Sequence, residues 1–206
     1  METKKVMSKW GVELNPMFKD NNSTTLCIVL PGVAYLIDRS YLDYSRQLAD
    51  ELGYDVMAIE YGFHINRTKF DISTEFHQMA KETIEAIENA ISKDYENIVI
   101  IGKSIGTCVQ VMLNRLFKDK KVKNIYISPI DKTAHHGVCE DSLVITGTKD
   151  PLLSEESLNK IEDVKGVKLV NITDANHGLD IQGDVLKTIE VLFDIIKLEK
   201  EFLTKE

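Results

Sequence analysis

The stretch IVIIGKSIGTC, residues 98–108, places a run of branched aliphatics directly before Gly-Lys-Ser. Two chemistries compete for it. As the tail of a phosphate-binding loop it would work through Lys103; as a strand-to-helix turn it would expose Ser104 as a nucleophile. A phosphate loop needs a first glycine five residues ahead of Gly102, so that main-chain N–H groups can wrap the phosphates. That position is Asn97, and Ile98 to Ile101 between them read as a buried strand, leaving no length for a loop. The other reading fits. Gly102-x-Ser104-x-Gly106 follows a strand and opens a segment in which Ile105, Cys108, Val109, Met112, Leu113 and Leu116 recur at helical spacing. A serine at such an elbow sits in a strained turn, and glycines two residues to either side avoid collision with the adjoining strand and helix.

Outward from this turn, short apolar runs alternate with segments of helical period. Strands are expected at 26–30, 56–59, 98–101, 124–127, 143–145 and 167–170. Helical spacing links Tyr41, Ser45, Leu48, Ala49 and Leu52, and again Phe76, Met79, Ala80, Thr83, Ile84, Ile87 and Ile91. A last helix is expected to turn Val185, Ile189, Leu192, Phe193 and Ile196 inward, ahead of a solvated or frayed tail, KLEKEFLTKE. Residues 5–19 suit an edge hairpin. The alternation predicts an α/β chain: a three-layer α/β/α sandwich around a mostly parallel sheet, with residues 1–206 as a single domain.

Gly-x-Ser-x-Gly alone arises often by chance, so partners are required. A serine hydroxyl needs a base to take its proton and a third group to orient that base. The run 143–145 leads into a loop carrying Asp150, and the run 167–170 into a loop carrying His177. Loops at the carboxyl ends of parallel strands share one edge, so Ser104, Asp150 and His177 can converge. Their order along the chain is Ser, Asp, His. On these segments the chain resembles the α/β-hydrolase superfamily, from Leu26 to the last helix.

That resemblance implies an oxyanion hole made by the backbone N–H of Ile105 and a second N–H from the loop at 30–35. Val33 is the expected second donor, with Ala34 next. Pro31 stands where the family commonly has a histidine that braces this loop. The resemblance also implies a serine hydrolase acting on an ester or thioester through an acyl-enzyme, with no cofactor. From Pro129 to Glu140 there is no room for a helical lid, which points to the compact end of the superfamily: small carboxylesterases, acyl thioesterases and dienelactone-hydrolase-like proteins. The site should be open and shallow. Ala34, Tyr35 and Lys103 are candidate pocket residues, and 61–71 is either a substitute flap or an ordinary crossover loop. A non-catalytic binding or sensory protein on the same fold stays open at this point, as do a peptidase and an acyltransferase.

Other residues have plainer readings. Asp174, Asp180 and Asp131 are stand-ins for the orienting acid, though loop solvation explains the first two. His135 and His136, beside Cys139, lack any metal-ligand frame, so no metal is expected. His64 and His77 have no chemical context. Cys108 is a packing residue, Lys103 either tints the site mouth or faces solvent, and Tyr35, Tyr41 and Tyr44 line the pocket or anchor the first helix.

A net charge of −8 repels phosphate backbones, so the expected partner is a small-molecule or acyl substrate rather than nucleic acid. No run approaches membrane-spanning length, and Cys27, Cys108 and Cys139 form no close pair, which together suggest a cytoplasmic protein with reduced thiols.

Overall fold

The computed structural model describes residues 5–205. At its start, β1 (Val6–Met7) and β2 (Glu13–Leu14) form a separate antiparallel pair, and β3 (Met17–Lys19) joins the edge of the main sheet antiparallel to a later strand. The expected hairpin is therefore split between two sheets. β4 (Thr25–Leu30), α1 (Ser40–Glu51), β5 (Asp55–Ala58), α2 (Gly62–Ile65) and α3 (Ile72–Ala90) follow. β6 (Asn97–Lys103) runs into α4 (Ile105–Leu113) and a 3₁₀ turn, Asn114–Phe117. The chain then makes β7 (Lys121–Ile127), α5 (Asp131–His136), β8 (Leu143–Gly147), α6 (Glu155–Glu162), β9 (Lys168–Ile172) and α7 (Val185–Leu203).

The main sheet has seven strands in the order β3-β5-β4-β6-β7-β8-β9, parallel except for β3. Strand side chains alternate between its faces. Leu26, Ile28 and Leu30 of β4 pack with Ile98 and Ile100 of β6 beneath α3 and α4. Cys27 and Val29 pack with Val99 and Ile101 beneath α1 and α7. A smaller cluster around Tyr126, Val144 and Ile161 seats α6. The result is the three-layer α/β/α sandwich. Among the described residues no helix is long and apolar enough to cross a membrane.

Three expectations are corrected. The helix after the elbow ends at Leu113, and Leu116 lies exposed in the 3₁₀ turn. The tail is not frayed: α7 continues to Leu203, and Glu199 and Leu203 are buried. Its most buried residues are Val191, Ile195 and Leu203, and the expected Leu192 and Ile196 pack half-buried beside them, while Val185, Ile189 and Phe193 face out. α7 carries two apolar stripes, and the one that meets α1 and β8 is the one residues 191–203 supply.

Candidate active site

Ser104 is the single residue between β6 and α4, held at φ 54° and ψ −120°. Such a conformation costs a non-glycine residue on the order of 1–3 kcal/mol and persists only where neighbours enforce it. Here the Ser104 N–H donates to Ile127 O at 3.0 Å, which carries the β6–β7 pairing into the turn. The flanking glycines are required sterically. A Cβ on Gly102 would lie 2.5 Å from Gln110 Oε1 and 2.9 Å from the Gly106 carbonyl, and one on Gly106 would lie 2.5 Å from Pro31 O. The turn thus drives β6, α4 and the loop after β4 into close contact. Ile105 opens α4, where first-turn N–H groups have no partner within the helix.

The structure brings Ser104, His177 and Asp150 together. Ser104 Oγ and His177 Nε2 are 2.8 Å apart, and His177 Nδ1 and Asp150 Oδ2 are 2.7 Å apart. The Asp150 carboxylate is 1% exposed, and its other oxygen accepts from the Leu152 N–H at 2.9 Å. A carboxylate only accepts, so Nδ1 carries the ring proton and Nε2 faces the serine as an acceptor. A side-chain turn shapes the loop bearing the imidazole, with Asn176 Oδ1 accepting from the N–H groups of Gly178 and Asp180. The stand-in acids lie elsewhere. Asp174 pairs with Lys149, Asp131 accepts from Ser154, and Asp180 is exposed.

Of the two readings of Lys103, at the site mouth or facing solvent, the structure excludes the second, and the residue lines the cleft. It is 1% exposed, and Nζ donates to Ser128 Oγ at 2.8 Å and to the His177 carbonyl at 2.9 Å. The ammonium also lies 5.0 Å from the Tyr35 ring centre. Burial pulls its pKa down to about 7, against the opposing charges of Asp150 and Asp180. β strand alternation turns Lys103 inward here, and the ammonium ties the end of β6 to the loop holding His177.

The loop after β4 is braced from the segment following β5. Gly32 N–H donates to Tyr35 O, and Tyr61 Oη donates to Pro31 O at 2.9 Å. His64 Nε2 lies 2.8 Å from Val33 O, while His64 Nδ1 lies 2.6 Å from Glu60 Oε2. Both neighbours are acceptors, so His64 links Glu60 to the loop through its ring. The second Glu60 oxygen accepts from the Ile37 N–H at 2.8 Å. His64 and Glu60 were not visible as site residues in the sequence. A histidine does support this loop after all, supplied from α2 rather than from position 31.

The segment 61–71 is that brace and not a flap over Ser104. Phe63 stacks on Phe70 at 4.4 Å and meets Trp10 at 5.5 Å, pinning α2 to the N-terminal segment. Tyr41 Oη donates to Leu179 O at 3.1 Å, which anchors α1 on the histidine loop; Tyr44 is exposed. Above Ser104 lies a cleft of about 380 Å³. Val33, Ala34, Ile72, Ile130 and Leu152 make it largely apolar, and Tyr35 and Lys103 also reach its wall. His135 and His136 sit in α5, and among the described residues no cluster of His, Cys, Asp and Glu could hold a metal ion.

No family model and no curated protein matches the sequence. Solved structures do match. The chain is similar to a protein of unknown function from Agrobacterium tumefaciens, classed provisionally with the alpha/beta hydrolases (16% identity, 97% of this chain and 94% of that one, TM-score 0.73). It is also similar to Est1E from Butyrivibrio proteoclasticus in complex with ferulic acid (17% identity, 98% and 100% covered, TM-score 0.69). A third is the esterase Pf2001 from Pyrococcus furiosus (17% identity, 97% and 90% covered, TM-score 0.68). With this sheet order, a strained serine between β6 and α4, and only the six-residue α5 between β7 and β8, the chain has the α/β-hydrolase fold in a compact form without a lid.

Proposed function

We propose that the protein is a serine hydrolase that cleaves a carboxylic ester or thioester through an acyl-enzyme. One observation carries this reading: the unbroken chain of contacts from Ser104 Oγ through the imidazole of His177 to the buried carboxylate of Asp150. Ser104 attacks the substrate carbonyl as His177 Nε2 takes its proton, and Asp150 stabilises the imidazolium that forms. The N–H groups of Ile105 and Val33 receive the developing oxyanion. His177 then returns the proton to the leaving group, and a water attacks the acyl-enzyme by the same route in reverse.

The cleft supports a small, largely apolar acyl group, since its walls are aliphatic and no lid deepens it. Across Val33, a second shallow groove with Arg67 and Lys69 at its edge suits a leaving group that carries negative charge. The three cysteines are free thiols, in keeping with a cytoplasmic setting. Esterase names among the structural neighbours favour ester cleavage over other uses of the same triad.

The test is turnover of a panel of short p-nitrophenyl esters and acyl thioesters differing in chain length and leaving-group charge. Ser104→Ala should lower kcat by a factor of order 10⁶. Wild-type-like turnover in that variant would reject the assignment.

A further inference from the structure

We propose that the outer face of α7 is the interface of a two-fold homodimer. α7 is apolar on two sides. One stripe, Val191, Ile195 and Leu203, is buried on α1 and β8. The other consists of Val185, Leu186, Ile189 and Phe193, which are 71%, 71%, 57% and 68% exposed. A surface helix with one neighbour needs one apolar stripe, and a helix apolar on both sides is one covered on both sides. Isolated exposed apolar residues need no explanation, but four at positions i, i+1, i+4 and i+8 form a continuous strip.

Area and charge together select a second copy as the occupant. The four side chains expose on the order of 500 Å², near the top of what the largest apolar patch of a monomer reaches. Two such strips laid together bury about 1,000 Å², the threshold for a specific interface before the flanking polar residues are added. Ahead of the strip stand the exposed carboxylates Asp180 and Asp184, and beyond it stand the exposed ammonium groups of Lys197 and Lys200. Asp184 caps α7 by accepting from the Lys187 N–H, and Asp194 and Glu201 lie exposed among the lysines, so Asp180 and Lys197 are the charges left to meet across an interface. A two-fold axis near Ile189 sets Val185 of each copy against Phe193 of the other. The same axis carries Asp180 of each copy toward Lys197 of the other. A lipid surface fits less well, because Glu190 and Asp194 flank the strip and the chain is net acidic.

The experiment is sedimentation velocity on the full chain over a concentration series, with circular dichroism to verify folding. The wild type should sediment at twice its 23.4 kDa chain mass. Ile189→Asp and Phe193→Asp, both at exposed positions, should stay folded and raise the dissociation constant by roughly 10- to 100-fold each. Lys197→Glu combined with Lys200→Glu should weaken the dimer at low salt and have a smaller effect at high salt. A wild type that stays monomeric throughout overturns the proposal, as does dimerisation unaffected by the two aspartates. A monomer that instead partitions onto anionic lipid vesicles, and loses that binding in Phe193→Asp, overturns it in favour of a membrane surface.

Discussion

Lys103 Nζ donates to the main-chain carbonyl of His177 across 74 residues of chain, so the residue beside the nucleophile holds the loop that carries the base. Replacing Lys103 by Met should leave the fold intact and free that loop. The expected result is a kcat lowered by about 10- to 100-fold with a small change in KM, since geometry rather than uniform binding is lost. The variant should also react more slowly with a fluorophosphonate. A kcat unchanged from wild type would show that the imidazole needs no such tether.

The same lysine imposes a pH signature on stability. Its pKa falls from an ordinary 10.5 to about 7 in the folded chain, so between those values the unfolded chain binds the extra proton. Stability attributable to Lys103 therefore rises with pH from about 7 to about 10.5. Urea midpoints measured across that range should climb less steeply in Lys103→Met than in the wild type. Parallel curves would contradict the buried-ammonium account.

Glu199 acts with the opposite sign. It is buried between α7 and the sheet, near Cys27 of β4 and Ser45 of α1, and neither carboxyl oxygen has a hydrogen-bond partner among the described residues. Ser45 Oγ donates instead to Tyr41 O. Burial pushes the Glu199 pKa from 4.5 up to about 8, so the folded chain keeps a proton that the unfolded chain has released. Its contribution is fully present below about pH 4.5 and is lost as pH rises through about 8. Glu199→Gln should flatten the stability profile over that window, and chemical denaturation near pH 5 and pH 8 is the check.

His64→Ala tests the brace on the oxyanion loop. Losing the Val33 contact should lower kcat by about tenfold, because Val33 N–H is then less well aimed at the developing charge. His64→Gln, which can still donate to the carbonyl, should recover part of that loss. Equal activity in all three proteins would remove His64 from the site.

Much of this arrangement was readable because its chemistry is local. The elbow shows itself through Gly102 and Gly106, whose missing side chains answer to atoms only 2.5 Å away. Asp150 and His177 each follow a strand, and a parallel sheet gathers such loops at one edge. Lys103 was legible as a pocket residue beside the nucleophile but not as a tether, since lysine ordinarily marks solvent, and only the positions of Ser128 and the His177 carbonyl show a buried ammonium with partners. His64 escaped for a related reason: its partner is a main-chain oxygen 31 residues away, which leaves no trace in residue type. α7 misled because both of its stripes have helical period, and periodicity does not say which one α1 will cover.

The most direct test of the central claim is intact-mass spectrometry after treatment with a fluorophosphonate. The account predicts one adduct per chain, located on Ser104 by peptide mapping, slowed strongly in His177→Ala and absent in Ser104→Ala. A wild-type chain that stays unmodified, or an adduct that persists in Ser104→Ala, would contradict it.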